Sequence, residues 1–462
     1  MFVRIFNAYF STRTLLLMVF EAFGIAMAFT VSCFVWLGQD ADLFLNYEGG
    51  LAKIALITCV FVLCMYYLDL YDSLVLTNRR EIVIRLMLVA GFSTLLMAIL
   101  YSRYPNARLG LKTFTLGVVF VFPFVLFWRE LFFWLSRSKR LVERAILLGE
   151  GPLADELVEL IKNRPEFGLD LVGCVSAFPA QLEGNARYLG TPDRLPDLVR
   201  KQGVHRVIVT MPDRRGKLPV QELLSIKSQY ARVQDGTELY EAMSGKLPVA
   251  SLRLSWLLFS PGFHVSQKLL LYKRLVSLAF ALMLLILASP VMLLVALAIR
   301  LDSPGPIIFR QKRVGKLGTI FTLYKFRSMF NVCEAGDNHR PAMANDDRVT
   351  RVGRWLRRTR LDELPQLYNI LRGDMYFVGP RPFVPSQEEE LAKAIPFYSQ
   401  RWSVKPGATG WAQVNRGYNA TVEDNIEKLA YDLFYIKNMS VTLDLFILFK
   451  TIKILILSRG GR

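Results

Sequence analysis

Four apolar stretches, each about long enough to cross a bilayer, fill the N-terminal part of the chain and leave it little choice of fold. They run over residues 15–37, 51–71, 82–101 and 114–135. Inside lipid no water satisfies a free backbone N–H or C=O, so segments of this length must be helices. Loop charge sets their orientation. Arg4 and Arg13 precede the first stretch, Arg79 and Arg80 separate the second from the third, and Arg137, Lys139, Arg140 and Arg144 follow the fourth. Residues 38–50 carry Asp40, Asp42 and Glu48 but no Lys or Arg. Both ends of this unit, residues 1–140, are therefore expected on the cytoplasmic side. Arg103 and Arg108, in a loop expected outside, run against that rule. Glu21 and Arg85 lie within apolar stretches and read as paired or snorkelling charges.

A length of 462 residues calls for two or three domains, and 53% hydrophobic residues is more than a soluble domain carries. The formal charge of +18 makes the polar surface basic. Beside apolar spans, such a surface suits anionic lipid headgroups and phosphorylated substrates, so membrane lipids are the expected partner and nucleic acid is not. The five cysteines, Cys33, Cys59, Cys64, Cys174 and Cys333, are odd in number and form no Cys-x-x-Cys pair, so neither a disulfide framework nor a zinc site is expected. The first apolar run is too long for the h-region of a cleaved signal peptide.

From Arg144 the texture changes. Residues 145–148, 171–175 and 206–210 read as buried strands, and 153–163 and 195–202 as amphipathic helices. Alternation of this kind predicts a small, parallel, doubly wound Rossmann-like sheet within residues 141–262. Its first turn, Gly149-Glu150-Gly151-Pro152-Leu153-Ala154, matches the glycine pattern of a dinucleotide site. Glu150 would repel a pyrophosphate, however, and Ser176-Ala177 stand where a ribose-binding acid belongs. The domain is better read as regulatory or as a dimer contact, which makes the expected assembly a homodimer.

A fifth apolar segment covers residues 275–299. Lys273 and Arg274 precede it, and Arg300, Arg310, Lys312, Arg313 and Lys316 follow. Positive charge on both flanks disfavours sending either end outward. Ser289-Pro290 interrupts it, where proline removes a backbone donor and the serine hydroxyl can serve a freed carbonyl. The expectation is a re-entrant helix that enters one leaflet and returns. Residues 443–456 are apolar but carry Asp444, Lys450 and Lys453, which suits a helix lying in the interface.

The chemistry concentrates in residues 263–462. In Leu361-Asp362-Glu363-Leu364-Pro365-Gln366 two carboxylates adjoin, with Arg354, Arg357, Arg358 and Arg360 before them and Gly379-Pro380-Arg381-Pro382 after. One carboxylate can attack phosphorus, the other can hold a divalent cation, and guanidinium groups can neutralise phosphate oxygens. Pro365 fits a first helical turn, Leu364, Leu367, Tyr368 and Leu371 form a stripe, and Gly373 ends it. The plain alternative is a pair of helix-start acids. Lys325 and Arg327 alternate with Tyr324, Phe326 and Met329, as on a strand with one charged face, and could grip a diphosphate. Arg381, held between two prolines, could clamp a phosphate or tie a turn to a carboxylate. Gln311, Arg313 and Arg357 are weaker candidates, as are Asp432 and Asp444. His339 has no partner histidine and reads as a surface residue.

These blocks, in order, resemble the bacterial sugar transferase family, the monotopic polyprenol phosphate phosphoglycosyl transferases. Further matching stretches are Lys273-Arg274, Ser303-Pro304-Gly305-Pro306, Phe309-Arg310-Gln311-Lys312-Arg313-Val314-Gly315, Tyr324-Lys325-Phe326-Arg327-Ser328-Met329 and Lys405-Pro406-Gly407-Ala408-Thr409-Gly410. The N-terminal spans and α/β domain resemble the large members of that family, particularly those of exopolysaccharide synthesis in PEP-CTERM/exosortase-type systems. The resemblance implies an inner-membrane enzyme facing the cytoplasm that transfers hexose-1-phosphate, glucose or galactose, from UDP-hexose to undecaprenyl phosphate for exopolysaccharide, capsule or O-antigen synthesis. It implies that Asp362 forms a covalent phosphosugar with release of UMP, and that Glu363 binds Mg²⁺. Two other classes are open on the residues: a membrane-anchored NAD-dependent nucleotide-sugar dehydrogenase or epimerase, disfavoured by the turn at Gly149, and a non-catalytic scaffold for polysaccharide export, disfavoured by the intact Asp362-Glu363 block.

Overall fold

A computed structural model describes residues 2–72, 79–136, 142–177, 187–211, 218–260, 262–330, 346–416 and 421–456. Arg137, Lys139, Arg140, Cys333 and His339 lie outside the described residues. Contacts gather the chain into two compact units, one of Met1–Val3 and Tyr9–Leu239, the other of Arg4–Ala8 and Tyr240–Arg462.

In the first unit the apolar stretches become the helices Thr12–Leu37, Gly50–Tyr67, Arg79–Arg103 and Leu111–Ser136. Ile25, Phe29, Cys33, Ile57, Phe61, Met65, Val89 and Val125 form their common core. The first and last of these helices approach closely because glycines face rings: a Cβ on Gly24 would fall 1.8 Å from the Phe124 ring, and one on Gly117 would fall 2.3 Å from that of Phe29. Both charges flagged inside the apolar stretches are paired. Arg129 donates to Glu21 through Nε at 2.6 Å and Nη2 at 3.2 Å, and its Nη1 reaches Leu70 O at 3.0 Å. Arg85 donates to Glu81 and to Leu68 O.

The same unit contains a five-stranded parallel sheet. Its spatial order is Tyr188–Gly190, Leu169–Val175, Glu143–Leu148, Arg206–Val209, Arg232–Asp235. The central strand is apolar throughout Ala145–Leu148 because both faces are covered. The two outer strands escaped the sequence pattern. At its first turn Gly149 has φ +116°, and a Cβ there would lie 2.6 Å from Met211 N. Glu150 does not face open solvent alone: its Oε2 accepts from Ser176 Oγ at 2.7 Å. Cys33, Cys59, Cys64 and Cys174 are free thiols.

The second unit is built on one 36-residue helix, Gln267–Asp302, which contains the apolar segment and Pro290. Ser266 caps its start, accepting from Leu269 N. Pro290 cannot donate to the carbonyl four residues back, that of Ile286, and Ser289 Oγ takes its place at 2.8 Å. Ala281 packs with Leu367, Ile370 and Met375, and Val295 and Ile299 with Phe326 and Leu356, while Leu364 touches both groups. Between these footholds most side chains, Met283, Ile286, Leu287, Leu293 and Leu294 among them, are exposed. Including this one, five helical segments among the described residues are long and apolar enough to cross a membrane.

After the long helix come an antiparallel hairpin, Ile308–Val314 with Ile320–Phe326, and the helix Arg351–Thr359. A tight turn, Leu361–Glu363, then leads into the helix Gln366–Arg372. Tyr376–Val378 pairs in parallel with Gly407–Thr409, and the helices Pro385–Ala394, Val422–Lys437 and Val441–Ile456 complete the unit.

Candidate active site

Asp362 and Glu363, expected at the start of a helix, sit instead in a tight turn, Leu361–Glu363, ahead of the helix Gln366–Arg372. Thr350 caps the helix Arg351–Thr359 by accepting from Gly353 N at 2.9 Å. Gly353 lets that helix press on its neighbour, since a Cβ there would lie 2.0 Å from Ser328 O. Arg360 ends it in the left-handed region at φ +60°, and the redirected chain enters the turn carrying the two acids. Gln366–Arg372 then packs by Leu367 and Ile370; Tyr368, counted in the apolar stripe, is exposed and meets Tyr324 edge-on at 5.4 Å. The helix points a lone phenol outward because its buried face already contains Leu367, Ile370 and Leu371.

Three cations converge on one oxygen of Glu363. Lys325 Nζ and Arg381 Nη2 each lie 3.1 Å from Oε1, and Arg360 Nη1 lies at 3.7 Å. Burial alone would raise the Glu363 pKa, but Lys325, Arg381 and Arg360 together outweigh it and hold the carboxyl well below the usual carboxylate range. Asp362 goes the other way. Burial pushes it up, and the Glu363 charge adds to that, against the opposing pull of Lys325, Arg360 and Arg357. The residue is 8% exposed, and Oδ1 has no hydrogen-bond partner among the described residues. The result is one carboxylate locked in ion pairs beside one that is buried, basic for its type and uncommitted.

The remaining candidates divide. Arg313 approaches the group from the side: Nη2 donates to Gln311 Oε1 at 2.6 Å and Nη1 to Pro382 O at 3.2 Å. Burial, with Arg381 nearby, lowers Arg313 to about 10. Arg357 donates to Ser328 Oγ at 2.9 Å and feels the charge of Asp362. Arg327 does not join them. The strand ends at Phe326, and the buried Arg327 guanidinium donates to Ser303 O at 2.6 Å, Ser303 Oγ at 2.9 Å and Pro304 O at 2.9 Å, closing the end of the long helix. Lys325 alone of that pair reaches the acids. Asp432 and Asp444 are also elsewhere: Asp432 binds Arg401 and Asp444 binds Lys273.

Two further residues set this geometry: Asn369, which the sequence reading did not name, and Arg274, which it read only as a flanking charge and part of a matching block. Asn369, wholly buried, accepts from Tyr324 N at 3.1 Å and donates to Thr322 O at 2.7 Å, tying the hairpin to the helix behind the acids. Arg274 donates to Ile370 O and Leu371 O, placing a cation at that helix's C-terminus. Nothing in either residue's neighbourhood in sequence announces such a partner.

Among the described residues no three His, Cys, Asp or Glu side chains gather as a metal cage. The adjoining acids, one with a free buried oxygen, do fit a hard divalent cation of the kind that takes one or two carboxylates and completes its shell with water and phosphate oxygens.

Residues 268–458 match the family described as bacterial sugar transferase, and residues 67–224 match one described as a CoA-binding domain. The chain is 41% identical over 230 residues to the UDP-N-acetylgalactosamine-undecaprenyl-phosphate N-acetylgalactosaminephosphotransferase of Aeromonas hydrophila, covering 49% of this chain and 52% of that protein. It is 33% identical over 376 residues to the undecaprenyl-phosphate glucose phosphotransferase of Komagataeibacter xylinus, covering 80% and 70%. It is 36% identical over 326 residues to the UDP-glucose:undecaprenyl-phosphate glucose-1-phosphate transferase of Escherichia coli (strain K12), covering 68% and 67%. The match thus spans about half of the first relative and about two thirds of the other two.

Proposed function

The chain belongs to the bacterial sugar transferase family, and from that premise we propose that it moves hexose-1-phosphate from a UDP-hexose to undecaprenyl phosphate. The observation that carries this reading is the pairing of an ion-locked Glu363 with a buried, uncommitted Asp362 among Lys325, Arg360 and Arg381. The Asp362 carboxylate attacks the sugar-bearing phosphorus; an oxygen–phosphorus bond forms, the bridging bond breaks, and UMP leaves. A phosphate oxygen of the polyprenol phosphate then attacks the same phosphorus, which frees the carboxylate and yields the polyprenyl diphosphate sugar. Lys325, Arg360, Arg381 and Arg313 hold the diphosphate and stabilise charge as it develops. Glu363 would hold Mg²⁺, which would supply further neutralisation of the phosphate oxygens.

The same reading places the enzyme in the inner membrane, with four N-terminal spans and the catalytic unit on the cytoplasmic side. The 275–299 segment is re-entrant. Its support is that both flanks are basic and that both halves of the helix pack on one module through Leu364, while the part around Ser289-Pro290 bears exposed apolar side chains. Residues 1–140, 141–262 and 263–462 act as bundle, Rossmann-like domain and catalytic domain, and two copies form a homodimer. Two of the relatives just described are named for glucose and one for N-acetylgalactosamine, so glucose is the first choice of sugar and galactose the second.

Purified protein incubated with undecaprenyl phosphate and a panel of UDP-sugars should release UMP with UDP-glucose. Asp362→Asn should abolish that release. Full activity in the variant, or no release with any sugar, would overturn the reading.

A further inference from the structure

Arg381 reaches Glu363 from a turn whose backbone is held almost atom by atom. Gly407 N donates to Pro380 O at 3.0 Å, Arg313 Nη1 to Pro382 O at 3.2 Å and Val314 N to Phe383 O at 3.1 Å. The carbonyl of Arg381 itself accepts from Arg401 Nη2 at 2.9 Å. Arg401 is 4% exposed, pairs with Glu388 and Asp432, and has no part in the proposed transfer.

We infer that Arg401 is a positioning residue, resting on the proposed transfer: its guanidinium fixes the Pro380–Pro382 turn so that the Arg381 side chain meets Glu363 and the diphosphate. A guanidinium offers its donors in a rigid planar fork, so anchoring several of them fixes the direction of the rest. Here Nε donates to Asp432 Oδ2 at 2.8 Å, and Nη1 donates to Tyr398 Oη at 2.6 Å and Glu388 Oε1 at 3.3 Å. Asp432 and Glu388 stand on two different helices, Val422–Lys437 and Pro385–Ala394. Glu388 is itself held, since its Oε2 accepts from Trp402 Nε1 at 2.9 Å. With the fork fixed from three sides, Nη2 has one direction left, and the Arg381 carbonyl lies on it. Apolar side chains would fill this interior without the desolvation of three charges. What they could not do is specify where a backbone carbonyl sits.

The test is Arg401→Lys, which keeps a charge but loses the fork. Hydrogen exchange over residues 378–384 should quicken while residues 143–148 stay unchanged. The kcat for UMP release should fall by about 10²-fold, the size expected when a charged group is displaced by about 1 Å. In an Arg381→Ala background the same substitution should have almost no further effect on kcat. Unchanged exchange in the turn, or an equal loss of kcat in both backgrounds, would overturn the proposal. If Arg401→Lys does not accumulate folded, Tyr398→Phe removes a single contact and is read in the same cycle. A parent chain that releases no UMP defeats the transfer reading instead, and the exchange measurement still decides whether Arg401 holds the turn.

Discussion

Asp362 and Glu363 are neighbours whose surroundings drive them in opposite directions, and that difference predicts how the enzyme responds to acid. On the proposed mechanism Asp362 must be ionised to attack phosphorus. Burial raises its pKa from 3.8, so UMP release is present above the raised value and is lost as pH falls through it. The acid limb of kcat/KM, which reports the free enzyme, should therefore lie above the ordinary aspartate range. Lys325 is the strongest charge pulling Asp362 down, so Lys325→Met should move that limb to still higher pH as well as slow the reaction. A limb at or below 3.8 in the parent chain would show that Asp362 is not the titrating group. For stability the signs differ. Glu363, with its pKa lowered, contributes stability that is fully present above about 4.5, its ordinary value, and disappears as pH falls below it. At this scale the sequence showed the acids and most of their basic partners, because all lie in short basic blocks. It misplaced Arg327 because strand alternation says which face a side chain takes, not where the strand stops. It passed over Arg401 because that residue acts through a carbonyl twenty positions earlier in the chain.

The long helix Gln267–Asp302 shows how a continuous element accommodates an internal proline. Ser289 Oγ substitutes for the donor that Pro290 lacks, at the carbonyl of Ile286. Ser289→Ala leaves that carbonyl unserved in an apolar setting and should destabilise the segment by about 1–3 kcal/mol. Pro290→Ala restores the backbone donor and should favour a straight helix. Its expected readout is normal protein yield with reduced UMP release, since the two halves could no longer both brace Leu364 near the acids; full activity would count against a break that matters. In the N-terminal helices the decisive contact is Glu21 with Arg129, both almost wholly buried. Glu21→Gln strands the guanidinium charge and should cost about 3–5 kcal/mol, read as a lower unfolding midpoint in detergent. The apolar helices were legible to within a few residues because lipid demands long runs. Tyr188–Gly190 and Arg232–Asp235 were not, being three and four residues long and carrying polar side chains. Their strand character comes from pairing with the buried strands beside them.

For the whole molecule the proposed orientation rests on loop charge. A fully spanning 275–299 segment would send either Lys273 and Arg274 or Arg300, Arg310, Lys312, Arg313 and Lys316 outward, against the bias that keeps such residues on the cytoplasmic face. It would also separate Arg274, before the segment, from the helix end at Ile370 and Leu371 that it caps, after the segment. The proposed re-entrant arrangement satisfies both constraints, since each basic flank of the segment remains on the same face. Arg144→Cys and Arg310→Cys, placed singly in a chain without its native cysteines, should therefore react with an impermeant maleimide from the same face of inverted vesicles. A cysteine in residues 38–50, the loop free of Lys and Arg, should react from the other face and so calibrate the experiment. Labelling of positions 144 and 310 from opposite faces would make the segment a fifth span and put the acidic pair on the side away from the proposed nucleotide donor.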